Sequence, residues 1–385
     1  MLILGPLPHM SRTTDRRGGR DDSLRVVVVD DSPFMRGLIA DLLTDAGVTV
    51  AGEAGDGAEA LSVVAETRPD VVTMDVEMPG MGGLEAVERL MDETPTPVLM
   101  LSAHTAEGAE VTFEALERGA VDFFAKPGGE VSTGVSRESD RLVEAVTSVA
   151  NADLAAAARG RREGDRTGGP SVSPSSDTRR SAAGTTDSSG GETVDVDAPL
   201  TVVIGSSTGG PNAVERVMSA LPMTDCRVVI VQHMPEAFTS RFADRLDKAS
   251  AYDVQEASDG ARIGTGEALV ARGGSHTRID SYRAGRLRVK LVEDDSHSVT
   301  PAADVTMRSA AEVVDDPLVG VVLTGMGADA SVGIQAMADA GARTIAQSED
   351  TCVIYGMPKR AVETGSIDEV CDLDDVAGAI VRGEA

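Results

Sequence analysis

From Leu24 onward, short apolar runs alternate with amphipathic stretches. The runs at 24–30, 48–54, 71–75, 97–103 and 121–126 (LRVVVVD, VTVAGEA, VVTMD, PVLMLSA, VDFFAK) predict strands. The stretches at 33–47, 57–67, 83–93, 109–119 and 139–160 repeat apolar positions every three to four residues and predict helices. Strands that read apolar on both faces, strictly alternating with helices, predict a parallel sheet covered on each side. Periodicity then stops. Ser, Gly, Thr, Arg and Asp dominate between Gly160 and Ala198, which predicts a flexible linker. Roughly 40 such residues reach about 35 Å root-mean-square, enough for two domains to dock or part.

A second alternating series begins at Leu200. Strands are predicted at 200–205, 227–232, 318–325 and 342–347, and helices at 211–221, 237–250, 305–314 and 328–341, around a β-like, hairpin-rich middle over 252–300. The chain of 385 residues is longer than one compact core usually holds. It divides into a disordered lead (1–23), an α/β domain (24–145), a helix end with the linker (146–198) and a second α/β domain with a parallel sheet (199–385).

Composition narrows the function. No apolar run approaches the roughly 18 to 20 residues that span a bilayer, which excludes a membrane-inserted chain. Lys and Arg total 35 against 63 Asp and Glu, a net charge of −28 that repels nucleic-acid phosphates and anionic lipid. Lysine occurs only at Lys126, Lys248, Lys290 and Lys359, and aromatics are 2%. Such an acidic, lysine-poor surface fits life in concentrated salt, where screening mutes self-repulsion. An acidic protein from a GC-rich genome is the blander reading. Cys226, Cys352 and Cys371 are odd in number and lack metal-ligand spacing, so reduced thiols and a cytoplasmic location are expected.

In an open parallel sheet, functional groups gather at the carboxyl ends of strands. Here the first domain carries Asp30 and Asp31, then Asp75, Ser102 and Lys126. Three carboxylates on neighbouring strands repel one another unless a hard cation such as Mg²⁺ lies among them. Such a cation, with Lys126 and the Ser102 hydroxyl, suits a phosphoryl group arriving at Asp75.

In the second domain, the strand at 200–205 runs into Gly205-Ser206-Ser207-Thr208-Gly209-Gly210-Pro211 and then a helix. Ser207 is placed at the positive end of that helix, where an oxyanion is favoured. A phosphate-cradling loop is the competing reading, but neither nucleotide-binding glycine motif is present. A serine needs a base and the base needs an orienting group. Among five histidines, His233 follows a strand directly and shares the edge with Ser207; His276 and His297 are weaker candidates. Asp329 follows another strand end and is the orienting acid, or merely the cap of the next helix. The Gly325-Met326-Gly327 turn offers backbone N–H groups to an oxyanion.

The stretches VVVDDSPFMR (27–36), VVTMDVEMPGMGGLEAV (71–87), LMLSAHT (99–105) and AVDFFAKPGG (120–129) resemble the receiver domain of two-component response regulators. The resemblance implies a doubly wound, flavodoxin-like fold and phosphorylation of Asp75 by a chemotaxis histidine kinase. It also implies Mg²⁺ held by Asp30, Asp31, Asp75 and the Glu77 carbonyl, and a cis Lys126–Pro127 bond. Phe123 falls where these domains keep a switch aromatic. The second domain, through VVIGSSTGGPNAVERV (202–217), VVIVQHMPEAFTSRFADRL (228–246), HSVTPAADVTMRSAA (297–311) and GVVLTGMGADASVGIQAMADAGARTIAQ (320–347), resembles the chemotaxis protein-glutamate methylesterases. That resemblance implies a triad of Ser207, His233 and Asp329, with Met326 as backbone oxyanion donor and no cofactor in this domain. It further implies hydrolysis of glutamate methyl esters and deamidation of glutamines on the cytoplasmic domains of chemoreceptors. Arg272 stands where the family usually has proline.

Overall fold

The computed structural model describes residues 23–102, 106–126, 135–156, 199–294 and 296–382. Nearly all of the expected lead, the Lys126–Pro127 bond and the expected linker lie outside the described residues. The first domain runs β1 (Arg25–Val29), α1 (Pro33–Asp45), β2 (Thr49–Ala54), α2 (Gly57–Thr67), β3 (Val71–Asp75), α3 (Gly83–Glu93), β4 (Val98–Ser102), α4 (Ala106–Arg118), β5 (Asp122–Ala125) and α5 (Val135–Ala150). Its five strands form a parallel sheet in the order β2-β1-β3-β4-β5. The expected strands and helices appear here, because Val26 to Val29, Val71, Val72 and Val98 to Leu101 are buried on both faces as helix-covered strands require. The helix expected to run to 160 stops at Ala150. Asp153 accepts the N–H groups of Ala155 and Ala156 and caps a new turn instead.

The second domain begins with β6 (Leu200–Ser206), α6 (Gly210–Ala220), β7 (Cys226–Gln232) and α7 (Glu236–Ala249). Then come β8 (Asp253–Glu256), β9 (Arg262–Ile263), β10 (Glu267–Val270), β11 (His276–Arg283), β12 (Arg286–Val292) and α8 (Ala303–Val313). It closes with β13 (Leu318–Val322), α9 (Ser331–Asp339), β14 (Arg343–Gln347), α10 (Met357–Glu363), β15 (Glu369–Cys371) and α11 (Leu373–Val381). Seven parallel strands take the order β15-β14-β13-β6-β7-β10-β8. The middle is only partly hairpin. β11 and β12 pair antiparallel, with β9 beside β12, whereas β8 and β10 join the main sheet. The strand expected to reach 325 ends at Val322, and the helix expected from 328 starts at Ser331. Gly327 and Ala330 both hold positive φ there, so the chain between is neither extended nor helical. No helix among the described residues is long and apolar enough to cross a membrane.

The two domains pack together through α4 and β5 of the first and α6 and α7 of the second. Phe123 stacks on Phe238 at 4.5 Å, and Phe113 stacks on Phe242 at 5.9 Å. Arg245 lies over the Phe113 ring, hydrogen-bonds its carbonyl and pairs with Glu117, while Asn212 donates to the Leu116 carbonyl. The apolar core is continuous across this boundary.

Candidate active site and phospho-acceptor site

Sheet order fixes where chemistry can gather. In an open parallel sheet the loops diverge where strand order reverses, leaving a crevice. In the first domain that point lies between β1 and β3, so Asp30 and Asp75 face each other across it. Both are buried while Asp31 is exposed, and the three can each offer one oxygen within 4.8 Å of the others. Lys126, entering from β5, places Nζ 2.9 Å from Asp30 Oδ2 and 2.8 Å from Asp75 Oδ2. Burial pushes the Asp75 carboxyl above its ordinary range, with Lys126 opposing. Desolvation works to lower the Lys126 ammonium, but the two carboxylates outweigh it and raise it. Hard oxygen donors at this separation fit a cation such as Mg²⁺. The Glu77 N–H points back to Asp75 Oδ1 at 3.4 Å, which holds the loop after β3 against the pocket. Ser102 ends β4 as expected, with its hydroxyl directed to the Gly108 carbonyl of α4 at 3.2 Å.

In the second domain the order reverses between β6 and β13. Ser207 follows β6, His233 follows its neighbour β7, and Asp329 follows β13, so three strand ends bring the three residues to one edge. His233 Nε2 lies 2.7 Å from Asp329 Oδ2. Asp329 also accepts the backbone N–H groups of Ala303 at 2.6 Å and Asp304 at 3.0 Å. It therefore sits on the positive end of α8, a helix earlier in the chain, and does not cap the helix that follows it. Burial works to raise this carboxyl, but His233 and the two N–H groups outweigh it and hold it below the usual carboxylate range. An ionised acid is thus fixed behind the imidazole.

The Ser207 N–H donates to the Thr324 carbonyl at 3.1 Å, tying the Ser207 turn to the end of β13. A Cβ on Gly325 would lie 2.7 Å from Ser207 Cβ, so only glycine lets the next turn approach the serine this closely. The Gly325 N–H is taken by the Ile354 carbonyl, whereas the Met326 N–H donates to no group among the described residues. The Ser207 hydroxyl likewise has no bond to His233. Two glutamines absent from the expected site support this cluster. Gln232 bridges Ser206, Ser207 and His233, and Gln347 accepts the Thr324 N–H at 2.8 Å. The available signal was a polar residue closing a buried strand after an apolar stretch.

His276 is fully buried, donating to the Asp294 carbonyl at 2.9 Å and accepting the Ala302 N–H at 3.0 Å. It braces the loop before α8 and does not join Ser207, and His297 packs edge-on against it. Arg272 pairs with Glu236 at the start of α7. The first domain closes over this edge: Thr208, beside the serine, is within reach of Ser148 from α5 at 3.5 Å. Asp122 of β5 faces Thr208 and His233, and desolvation pushes its carboxyl up to about 7.

A family model for CheB methylesterase matches residues 202–380, and one for the response regulator receiver domain matches residues 26–132. A protein from Haloarcula marismortui, called protein-glutamate methylesterase/protein-glutamine glutaminase, is 57% identical over 94% of this chain and 97% of its own. Relatives with the same name from Halobacterium salinarum, 52% identical over 92% of this chain and 96% of theirs, are also found, and the related sequences include halophiles. A bacterial relative from Oleidesulfovibrio alaskensis, named protein-glutamate methylesterase/protein-glutamine glutaminase 1, is 42% identical over 93% of this chain and 99% of its own. With the receiver ahead of the catalytic fold and similarity running nearly end to end, the chain belongs to the CheB family of protein-glutamate methylesterases/protein-glutamine glutaminases.

Proposed function

We propose that this protein is a phosphorylation-activated serine hydrolase that removes methyl groups from glutamate methyl esters on chemoreceptor cytoplasmic domains, releasing methanol, and deamidates receptor glutamines. The observation that carries the reading is the His233–Asp329 pair, held at 2.7 Å on the positive end of α8 beside the Ser207 turn. Because Asp329 engages Nε2, His233 Nδ1 is the nitrogen that takes the Ser207 proton. The serine oxygen attacks the ester carbonyl, and the Met326 N–H donates to the oxyanion that forms. His233 returns the proton to the departing methoxide, which leaves as methanol, or to the departing amide nitrogen, which leaves as ammonia. Water then adds to the acyl-serine by the same proton route, giving glutamate and free Ser207.

In the receiver, Asp75 accepts a phosphoryl group from a chemotaxis histidine kinase, while Lys126 and Ser102 contact its oxygens. Asp30, Asp31, Asp75 and the Glu77 carbonyl would hold Mg²⁺, which when bound neutralises charge on the phosphoryl group. The domains divide at 24–145 and 199–385, joined by 146–198, and the protein works in the cytoplasm. The docked receiver, with Asp122 against Thr208, restricts access to Ser207, and phosphorylation weakens that docking.

Methanol release from methylated receptor membranes tests the proposal. Ser207→Ala is expected to reduce turnover by about 10⁴ to 10⁶. Near-normal release by that variant would sink it. No release by the wild-type protein, phosphorylated or not, would favour a docking protein or an esterase for another ester.

A further inference from the structure

No hydrogen bond joins the Ser207 hydroxyl to His233, so something other than that bond must set their separation. The two segments meet through one buried amide. Gln232, the last residue of β7, is 1% exposed. Its Oε1 accepts the Ser206 hydroxyl at 2.6 Å, and its Nε2 donates to the Ser207 carbonyl at 2.9 Å and the His233 carbonyl at 3.1 Å. Ser206 and Gln232 are register partners, and the His233 N–H returns to the Ser206 carbonyl at 3.1 Å. Every N–H of the side chain is spent on the nucleophile turn and the base loop. The turn is shaped around it too, since a Cβ on Gly210 would lie 2.0 Å from Gln232 Oε1.

We infer that Gln232 is a positioning residue: its amide fixes the nucleophile turn against the base loop, so that Ser207 Oγ and His233 Nδ1 come into register when substrate enters. The inference rests on the serine-histidine reading of this site. An apolar side chain would fill the same volume, but only a side chain with two donors and an acceptor satisfies these three groups at once. Glutamate keeps the shape yet has no N–H, and ionised at neutral pH it sets a charge against two carbonyl oxygens.

The test uses the phosphorylated full chain and three variants, Gln232→Leu, Gln232→Glu and Gly210→Ala, the last displacing the amide without changing it. Two readouts are taken: kcat and KM for methanol release, and the rate at which a fluorophosphonate labels Ser207. Each variant is expected to lose about 10- to 100-fold in kcat and in labelling rate, with KM within about two-fold of wild type. The Gln232→Glu deficit relative to wild type should shrink as pH falls, because the protonated carboxyl regains one O–H donor. Wild-type kcat in either Gln232 variant would overturn the inference. So would losses matched by the unfolded fraction measured in thermal melts, which would assign the amide to stability. A wild type that labels at Ser207 but releases no methanol would remove the methylesterase reading and leave the labelling comparison to decide the role of Gln232. A wild type that does not label would remove both.

Discussion

The two sites occupy equivalent places in their sheets and are built in opposite ways. Each lies at the carboxyl edge where strand order reverses, between β1 and β3 in the receiver and between β6 and β13 in the hydrolase domain. In the receiver, charge does the assembling. Asp30, Asp75 and Lys126 attract and repel through a partly buried medium, and groups that act by charge tolerate a few tenths of an ångström. In the mechanism proposed for the hydrolase domain a neutral hydroxyl must meet a ring nitrogen within hydrogen-bond reach, and an error of about 1 Å costs about 100-fold. Hence the second edge carries the two glutamines, the close-approaching glycines and a carboxylate fixed by two backbone N–H groups, while the first has fewer such braces.

That contrast can be broken at its strongest point by Asp329→Asn, which removes the charge behind His233 and disturbs its tautomer. Methanol release is expected to fall by about 10³ to 10⁴, and a loss under ten-fold would deny Asp329 an orienting role. Next in size is Asp75→Asn. It should abolish the rise in methanol release produced by a phosphodonor, a rise of up to about 100-fold for a docking shift near 2.8 kcal/mol. Activation that survives the change would place the acceptor elsewhere.

Smaller effects probe how the two sites communicate. Phe123→Ala removes the ring stacked on Phe238 at the domain boundary. The unphosphorylated chain should become about three- to ten-fold more active, as expected for a stacked aromatic pair worth about 0.5–1.5 kcal/mol, whereas an unchanged basal rate would separate this contact from inhibition. The smallest effect is a pH dependence. Asp122 is raised from 3.8 to about 7 by desolvation in the docked structure. Below pH 3.8 it is protonated in both states and adds nothing. Between there and about 7 the released receiver ionises Asp122 first, so docking weakens as pH rises and then levels off. Asp122 keeps part of its surface in water, and solvent screening discounts the effect, so the ratio of unphosphorylated to phosphorylated activity should climb several-fold across that window, and Asp122→Asn should flatten it. A climb that persists in the variant would point to another titrating group.

Most of the receiver was legible along the chain because each of its candidate groups lies at or just after a strand end, and β-branched runs mark strand ends plainly. Ser207, His233 and Asp329 were legible for the same reason. The partner of Asp329 was not: its carboxylate caps α8, whose own N-cap residue is Ala302, with no capping side chain that sequence could flag. Gln232 was hidden differently, since one amide at the end of CRVVIVQ looks like an ordinary strand terminus until its three partners are in place. The domain boundary was hidden as well. The chain has six phenylalanines, and four of them, Phe113, Phe123, Phe238 and Phe242, meet there, although Phe123 alone drew notice in the sequence.

Two parallel α/β domains, an acidic surface and the residues at each strand end can be read along the chain, because hydrophobic periodicity and strand punctuation are local properties. The tertiary structure decided strand order, and with it which ends converge. It also decided that two strands of the hairpin-rich middle join the main sheet, that Asp329 rests on a helix N-terminus, and that Asp122 of one domain faces the histidine of the other. Those are contacts between segments far apart in sequence, fixed only when side chains pack and every buried polar group must find a partner.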